Sequence, residues 1–156
     1  MPHQPHRFVT ILTDGASKGN TLGSPASIGV IIKNEHGDVI DKWSQLLPHT
    51  DAIHAEYTAL LTGLKRAKEI HGATHVVALA DSLNMVRHIN KLPNEYYKNP
   101  PPSIVTLHNQ ITAEAHGLED FHLAHVFREY NTEADSAANE AFRESKIMQQ
   151  YDDAMA

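Results

Sequence analysis

A chain of 156 residues with 41% hydrophobic and 21% charged side chains has the make-up of one globular domain, and its lack of cysteine excludes disulfide staples and cysteine-based zinc sites. With 19 acidic against 13 basic residues the formal charge is −6, which excludes the broadly basic surface that binds nucleic acid by charge alone. No apolar run approaches the roughly 18 residues needed to span a membrane, and the start MPHQPHRF lacks the apolar stretch of a secretory signal, so the cytoplasm is the expected location.

Residues 1–6 read as a flexible tail, ahead of one domain over residues 7–147. The run F-V-T-I-L-T-D that ends at Asp14 is almost continuously apolar and rich in β-branched side chains, which predicts a central strand buried on both faces. Residues 15–27 read as a loop rich in Gly, Ser and Asn. Residues 28–33 and 39–47 read as two strands joined by the polar turn 34–38, a hairpin. Over residues 51–71 the period changes: Ile53, Tyr57, Leu60, Leu61 and Leu64 recur at helical spacing, and Gly72 follows as a stop. Residues 76–80 form a short apolar strand, and Asp81-Ser82 are placed to cap a helix reaching about Lys91. Residues 92–102 hold four prolines and read as a loop. Ser103 is expected to cap a helix carrying Ile104, Leu107, Ile111 and Leu118 on one side, and residues 121–127 a fifth strand. Thr132 opens the last helix, where Ala134, Ala137, Ala138 and Ala141 make a small-residue face suited to close packing. Residues 148–156 show no pattern and read as a tail. The order β-β-β-α-β-α-α-β-α predicts an α/β domain with a mixed five-stranded sheet, three strands antiparallel and then two parallel, flanked by helices.

Two acids stand where apolar strands end, Asp14 and Asp81. A carboxylate there is costly unless it is paired, protonated or bound to metal, and the carboxyl ends of neighbouring parallel strands bound the crevice where ligands bind. Taken singly, Asp14 reads equally well as a turn residue and Asp81 as a helix cap. Glu56 sits at the edge of its helix's apolar stripe, and Asp135 in the first turn of the last helix, where an acid also suits the helix dipole.

T-D-G-A-S-K-G-N (residues 13–20), A-E-Y-T-A-L-L-T-G-L (55–64), A-D-S (80–82) and R-E-Y-N-T-E-A-D-S-A-A-N (128–139) together resemble the four signature blocks of type 1 ribonucleases H, in order and in spacing. The resemblance covers nearly the whole chain. It implies a ribonuclease H-like fold and an endonuclease that hydrolyses the RNA strand of RNA–DNA hybrids. It also implies that Asp14, Glu56, Asp81 and Asp135 hold two Mg2+ (or Mn2+) ions per active site. Hard cations take oxygen ligands, and a pair of them can stabilise both the attacking and the leaving oxygen of an in-line phosphoryl displacement. By the same resemblance Arg128 stands where many members carry a histidine that helps product release. Gly15, Ala16 and Ser17 (through their backbone), Asn20 and Ser82 would touch the hybrid. The RNA–DNA hybrid is the expected partner, with no membrane and no obligatory protein partner.

The chain also departs from the family pattern. The glycine-rich loop continues N-T-L-G-S-P-A-S-I-G instead of N-P-G-P-A-G, and Ala52 and Ile53 stand where two polar residues commonly contact substrate. Residues 92–102 bring only Lys98 where longer bacterial members carry a Lys- and Trp-rich protrusion, and no separate hybrid-binding domain is expected. Two alternatives therefore stay open: a non-catalytic ribonuclease H-like module that binds nucleic acid or protein, and another metal-dependent nuclease of the same fold. The 12 histidines show no metal-binding spacing, and Tyr96-Tyr97 reads as loop packing ahead of base stacking.

Overall fold

A computed structural model describes residues 6–19, 23–93 and 97–156, apart from the side chain of Met148. Residues 1–5 of the expected tail, Asn20 and Tyr96 lie outside the described residues. Five strands, β1 (Phe8–Ser17), β2 (Ala26–Lys33), β3 (Val39–Leu47), β4 (His75–Ala80) and β5 (Asp120–His125), form one sheet in the order β3-β2-β1-β4-β5. β1 pairs antiparallel with β2, and β2 with β3; β1 and β4, and β4 and β5, are parallel. Helices α1 (Ala52–Glu69), α2 (Leu83–Ile89), α3 (Pro102–His116) and α4 (Thr132–Met155) complete the domain. The element order and the mixed sheet are those expected from the sequence.

β1 is the central strand because it is apolar on both sides. Val9 and Ile11 join the main core with Tyr57, Leu60 and Leu64 of α1 and Ile104 and Ile111 of α3. Leu12 points the other way, into a smaller cluster with Ile31, Ala134 and Ala137 under α4. Each fully buried Leu or Ile stabilises the fold by roughly 1.5–3 kcal/mol. The alanine face of α4 lies almost on the sheet: a Cβ added at Gly29 of β2 would fall 2.2 Å from Ala134 O. Ser27 Oγ donates to Ala138 O at 2.6 Å, in the same seam.

Several elements differ from expectation. Antiparallel pairing with β2 carries β1 past Asp14 as far as Ser17, so the loop after it is shorter than residues 15–27. Asp14 therefore ends β1's pairing with β4 but not the strand itself. Ser103 does not cap α3, whose N-cap is Pro101 with no side-chain bond; its hydroxyl lies 2.6 Å from His54 Nε2. Asp51 caps α1 by accepting from His54 N at 2.9 Å and also meets His54 Nδ1 at 2.7 Å, so Asp51, His54 and Ser103 tie the starts of α1 and α3 together. α4 has Asn131 at its N-cap without a side-chain capping bond, and it runs on to Met155 through residues that showed no pattern. The described side chains of that last stretch are exposed; residues such as Lys146 and Gln149 are good helix formers and need no apolar stripe to continue a helix. Tyr97 is buried and stacks on His88 at 4.7 Å, as loop packing requires.

Candidate active site

The register of the parallel strands builds the site. Thr13 pairs with Ala80, so the next residues, Asp14 and Asp81, emerge side by side. Glu56 arrives from the first turns of α1. One carboxylate oxygen from each of Asp14, Glu56 and Asp81 lies within 4.8 Å of the others. Asp135, in the first turn of α4, faces Asp14 closely enough for the two carboxyl groups to share a hydrogen bond. All four acids picked out in the sequence thus converge, three in one cluster and Asp135 against its Asp14 side.

Glu56 reaches the strands because α1 has no side chain in its way. A Cβ at Gly15 would lie 2.4 Å from Ala55 C and from Glu56 N, so only glycine lets the helix come this close. The Gly15 N–H in turn donates to the Glu56 carboxylate.

The electrostatics are those of crowded acids. Asp14 is 6% exposed. Burial first, then the charge of Asp81 and the hydrogen bond and charge of Asp135, push its carboxyl up to about 8, against a smaller opposite pull from Arg128. Glu56 is raised well above the ordinary carboxylate range, by burial and then by the charges of Asp14 and Asp81. Its Oε2 is buried with no hydrogen-bond partner. Buried polar atoms are nearly always paired, so an orphaned carboxylate oxygen facing two other acids marks a place for a cation. The donor set, carboxylate oxygens alone, suits a hard divalent ion such as Mg2+ or Mn2+.

One residue at the site carried no expectation. Asn131 is fully buried, and its Nδ2 donates to Thr13 O at 3.0 Å and approaches Asp81 Oδ2 at 3.5 Å. It bolts the start of α4 to both aspartate-bearing strands. Its Oδ1 is a second buried atom without a partner. The available signal was its position in the fourth sequence block, but an asparagine just before a helix reads as an ordinary cap.

The expected substrate contacts divide. The Ser17 hydroxyl is taken up within the chain, donating towards Gly19 O (2.7 Å) and Thr50 O (3.1 Å). Ala16 is held in the ladder opposite Ser27. The Ser82 hydroxyl accepts from Met85 N at 3.4 Å and caps α2 directly beside Asp81. Arg128 lies in a short 3-10 turn, Arg128–Tyr130, within electrostatic reach of Asp14.

Residues 12–141 match the family model described as "Reverse transcriptase-like". Among curated proteins the chain is similar to the bifunctional protein Rv2228c of Mycobacterium tuberculosis, with 31% identity over 134 residues; the match takes in 85% of this chain and 35% of that protein. The chain thus corresponds to about a third of the length of that relative. The fold is similar to the crystal structure of RNase H1 from the halophilic archaeon Halobacterium salinarum NRC-1, with a TM-score of 0.80 and 25% identity, over 88% of this chain and 98% of that one. It is similar also to LC11-RNase H1 in complex with an RNA/DNA hybrid, with a TM-score of 0.78 and 28% identity, over 88% of this chain and 98% of that one.

Proposed function

Because the chain belongs to the reverse transcriptase-like family of ribonuclease H domains, we propose that it is an endonuclease that hydrolyses the RNA strand of RNA–DNA hybrids. The observation that carries this reading is the meeting of Asp14, Glu56 and Asp81 oxygens within 4.8 Å at the ends of adjacent strands, with Asp135 at their flank. The hybrid held by LC11-RNase H1 supports the choice of substrate.

In this reading Asp14, Glu56, Asp81 and Asp135 hold two divalent cations. Once bound, these would supply charge stabilisation to the attacking and leaving oxygens of the phosphodiester. The protein's own part is to fix the four carboxylates before substrate arrives. Asp14 and Asp81 are held by the sheet, Glu56 by the Gly15 contact, and Asp81 further by Asn131. Burial and the neighbouring acids raise Asp14 to about 8, so cation binding at neutral pH would displace its proton; the same causes raise Glu56. Arg128 sits where a cationic side chain can steer a phosphate beside the acids, and it is not itself an oxygen donor. Ser82 caps α2 directly beside Asp81; with the backbone at Gly15, and with Asn20 as the sequence resemblance implies, it would meet the ribose side of the hybrid, where the 2′-hydroxyl distinguishes RNA from DNA.

The test is incubation with end-labelled RNA–DNA hybrid, duplex RNA and duplex DNA, each with Mg2+, Mn2+ or EDTA. Cleavage of the RNA strand of the hybrid alone, lost in EDTA, is the expected result. Binding of the hybrid with no cleavage in either metal would favour the non-catalytic module, for which the −6 charge and the apolar Ala52 and Ile53 speak.

A further inference from the structure

The segment from Val126 to Asn131 crosses the open ends of β4 and β1. Val126 N–H donates to Ala80 O at 3.0 Å, Tyr130 N–H to Phe127 O at 2.9 Å, and Asn131 N–H to Arg128 O at 3.0 Å. With Asn131 buried and bonded to Thr13 O, the segment is a fixed ledge beside the acids. Two large aromatic side chains stand out from it. Phe127 is 64% exposed and Tyr130 73% exposed. The Phe127 ring meets the His125 ring at 5.5 Å and 84°, an edge contact that holds it upright. Between the two stand Arg128, within electrostatic reach of Asp14, and the exposed Glu129. Single exposed apolar side chains are ordinary on a protein surface, but two aromatics standing out beside Arg128 at the rim of a polar site mark a contact surface.

We propose that Phe127 and Tyr130 form an aromatic platform for the RNA–DNA hybrid, packing on the sugar faces that border its minor groove beside the scissile strand. The inference rests on the hybrid-nuclease reading of the acid cluster. Base faces inside a continuous duplex are already stacked on one another, so flat side chains must meet the duplex at its sugars. The wide, shallow minor groove of an A-like helix offers those sugars and the 2′-hydroxyls together. The platform also answers a difficulty in the charge. Thirteen basic residues against 19 acidic ones cannot draw a polyanion strongly, whereas apolar contact needs no counterion release and does not weaken with salt.

The experiment measures hybrid binding by the cleavage-dead Asp14→Asn protein in Mg2+ over a range of salt, with and without Phe127→Ala and Tyr130→Ala. The alanine pair should weaken binding about tenfold, the scale of losing partial apolar burial of two aromatic side chains, and leave the slope against salt unchanged. Phe127→Tyr and Tyr130→Phe should bind like the parent. Arg128→Ala should behave differently and reduce the slope by about one. In the cleaving protein the alanine pair should raise KM and leave kcat nearly constant. Each single alanine variant should lose part of the affinity, so the singles decide the matter if the pair folds poorly. Parent-like affinity in the alanine variants overturns the platform, as does a loss of affinity that comes with a lower salt slope. A parent that binds no hybrid at all overturns the reading of the acid cluster first, and the platform with it.

Discussion

Asp14 and Asp41 are both largely withdrawn from water, and the protein treats them in opposite ways. The Asp41 side chain, on β3, is 10% exposed and receives Arg66 Nε at 2.9 Å and Nη2 at 3.1 Å, with His71 Nε2 at 2.9 Å. The Arg66 guanidinium lies 4.0 Å over the Trp43 ring. Burial alone would raise Asp41, but the hydrogen bonds and charges of Arg66 and His71 outweigh it and hold the carboxyl below its ordinary value. Asp14 is buried to a similar degree but faces three other acids, and it is pushed up to about 8. The first is a satisfied acid that stabilises the fold. The second is an unsatisfied one, which the fold tolerates at a cost, and that is the mark of a site waiting for a ligand.

Removing each acid should split activity from stability. Asp14→Asn should abolish hybrid cleavage and leave the metal-free protein at least as stable as the parent, because one of four crowded carboxylates is gone. Asp41→Asn should do the reverse: lower stability by about 2–3 kcal/mol through lost charged hydrogen bonds, with cleavage per folded molecule unchanged. Urea denaturation beside a cleavage assay reads both. Wild-type cleavage by Asp14→Asn would remove it from the catalytic centre.

Asn131 belongs to both worlds, since it is buried like a core residue and bonded to the site. Asn131→Ala should cost about 1–3 kcal/mol by stranding the Thr13 carbonyl. It should also lower cleavage roughly ten- to a hundredfold, as loss of a group that orients a metal ligand does. Loss of stability with full activity per folded molecule would confine it to a structural role.

A smaller effect lies in pH. Asp14 titrates near 3.8 when unfolded and at about 8 in the metal-free fold. A carboxyl raised on folding favours the fold while it is protonated, and that favour fades as pH climbs through the folded value. Metal-free protein should therefore melt several degrees lower at pH 8.5 than at pH 5.5, and Asp14→Asn should show much less of this decline. Asp41, being lowered, contributes its stability above the ordinary carboxylate range and loses it only as pH falls through its own value. A thermal-melt series from pH 3 to 9 separates the two windows; a flat profile between 5.5 and 8.5 would argue against the crowding of acids around Asp14.

The pattern of apolar residues was enough to foresee the order of elements, the central place of β1 and the close seam under α4, because each rests on periodicity or side-chain size. Asp14 and Asp81 could be noticed by position alone, as acids closing apolar runs. Glu56 and Asp135 could not, since a helix-edge glutamate and a first-turn aspartate have ordinary explanations, and it took the four sequence blocks together to single them out. The Asp41–Arg66–His71 group escaped notice because its members come from β3, α1 and the turn after α1, and no local spacing joins them. Asn131 and Ser103 both stand where a polar residue caps a helix, yet each spends its side chain on a distant partner that only the tertiary fold supplies.

The central claim is that Asp14, its carboxyl raised to about 8 by burial and neighbouring acids, belongs to a site built for divalent cations. It is tested most directly by counting the protons released when Mg2+ binds at pH 7, by titration calorimetry in buffers of different ionisation heat. With its carboxyl raised to about 8, Asp14 should give up most of a proton on saturation, and Asp14→Asn should release fewer. Mg2+ binding with no release of protons would contradict the account.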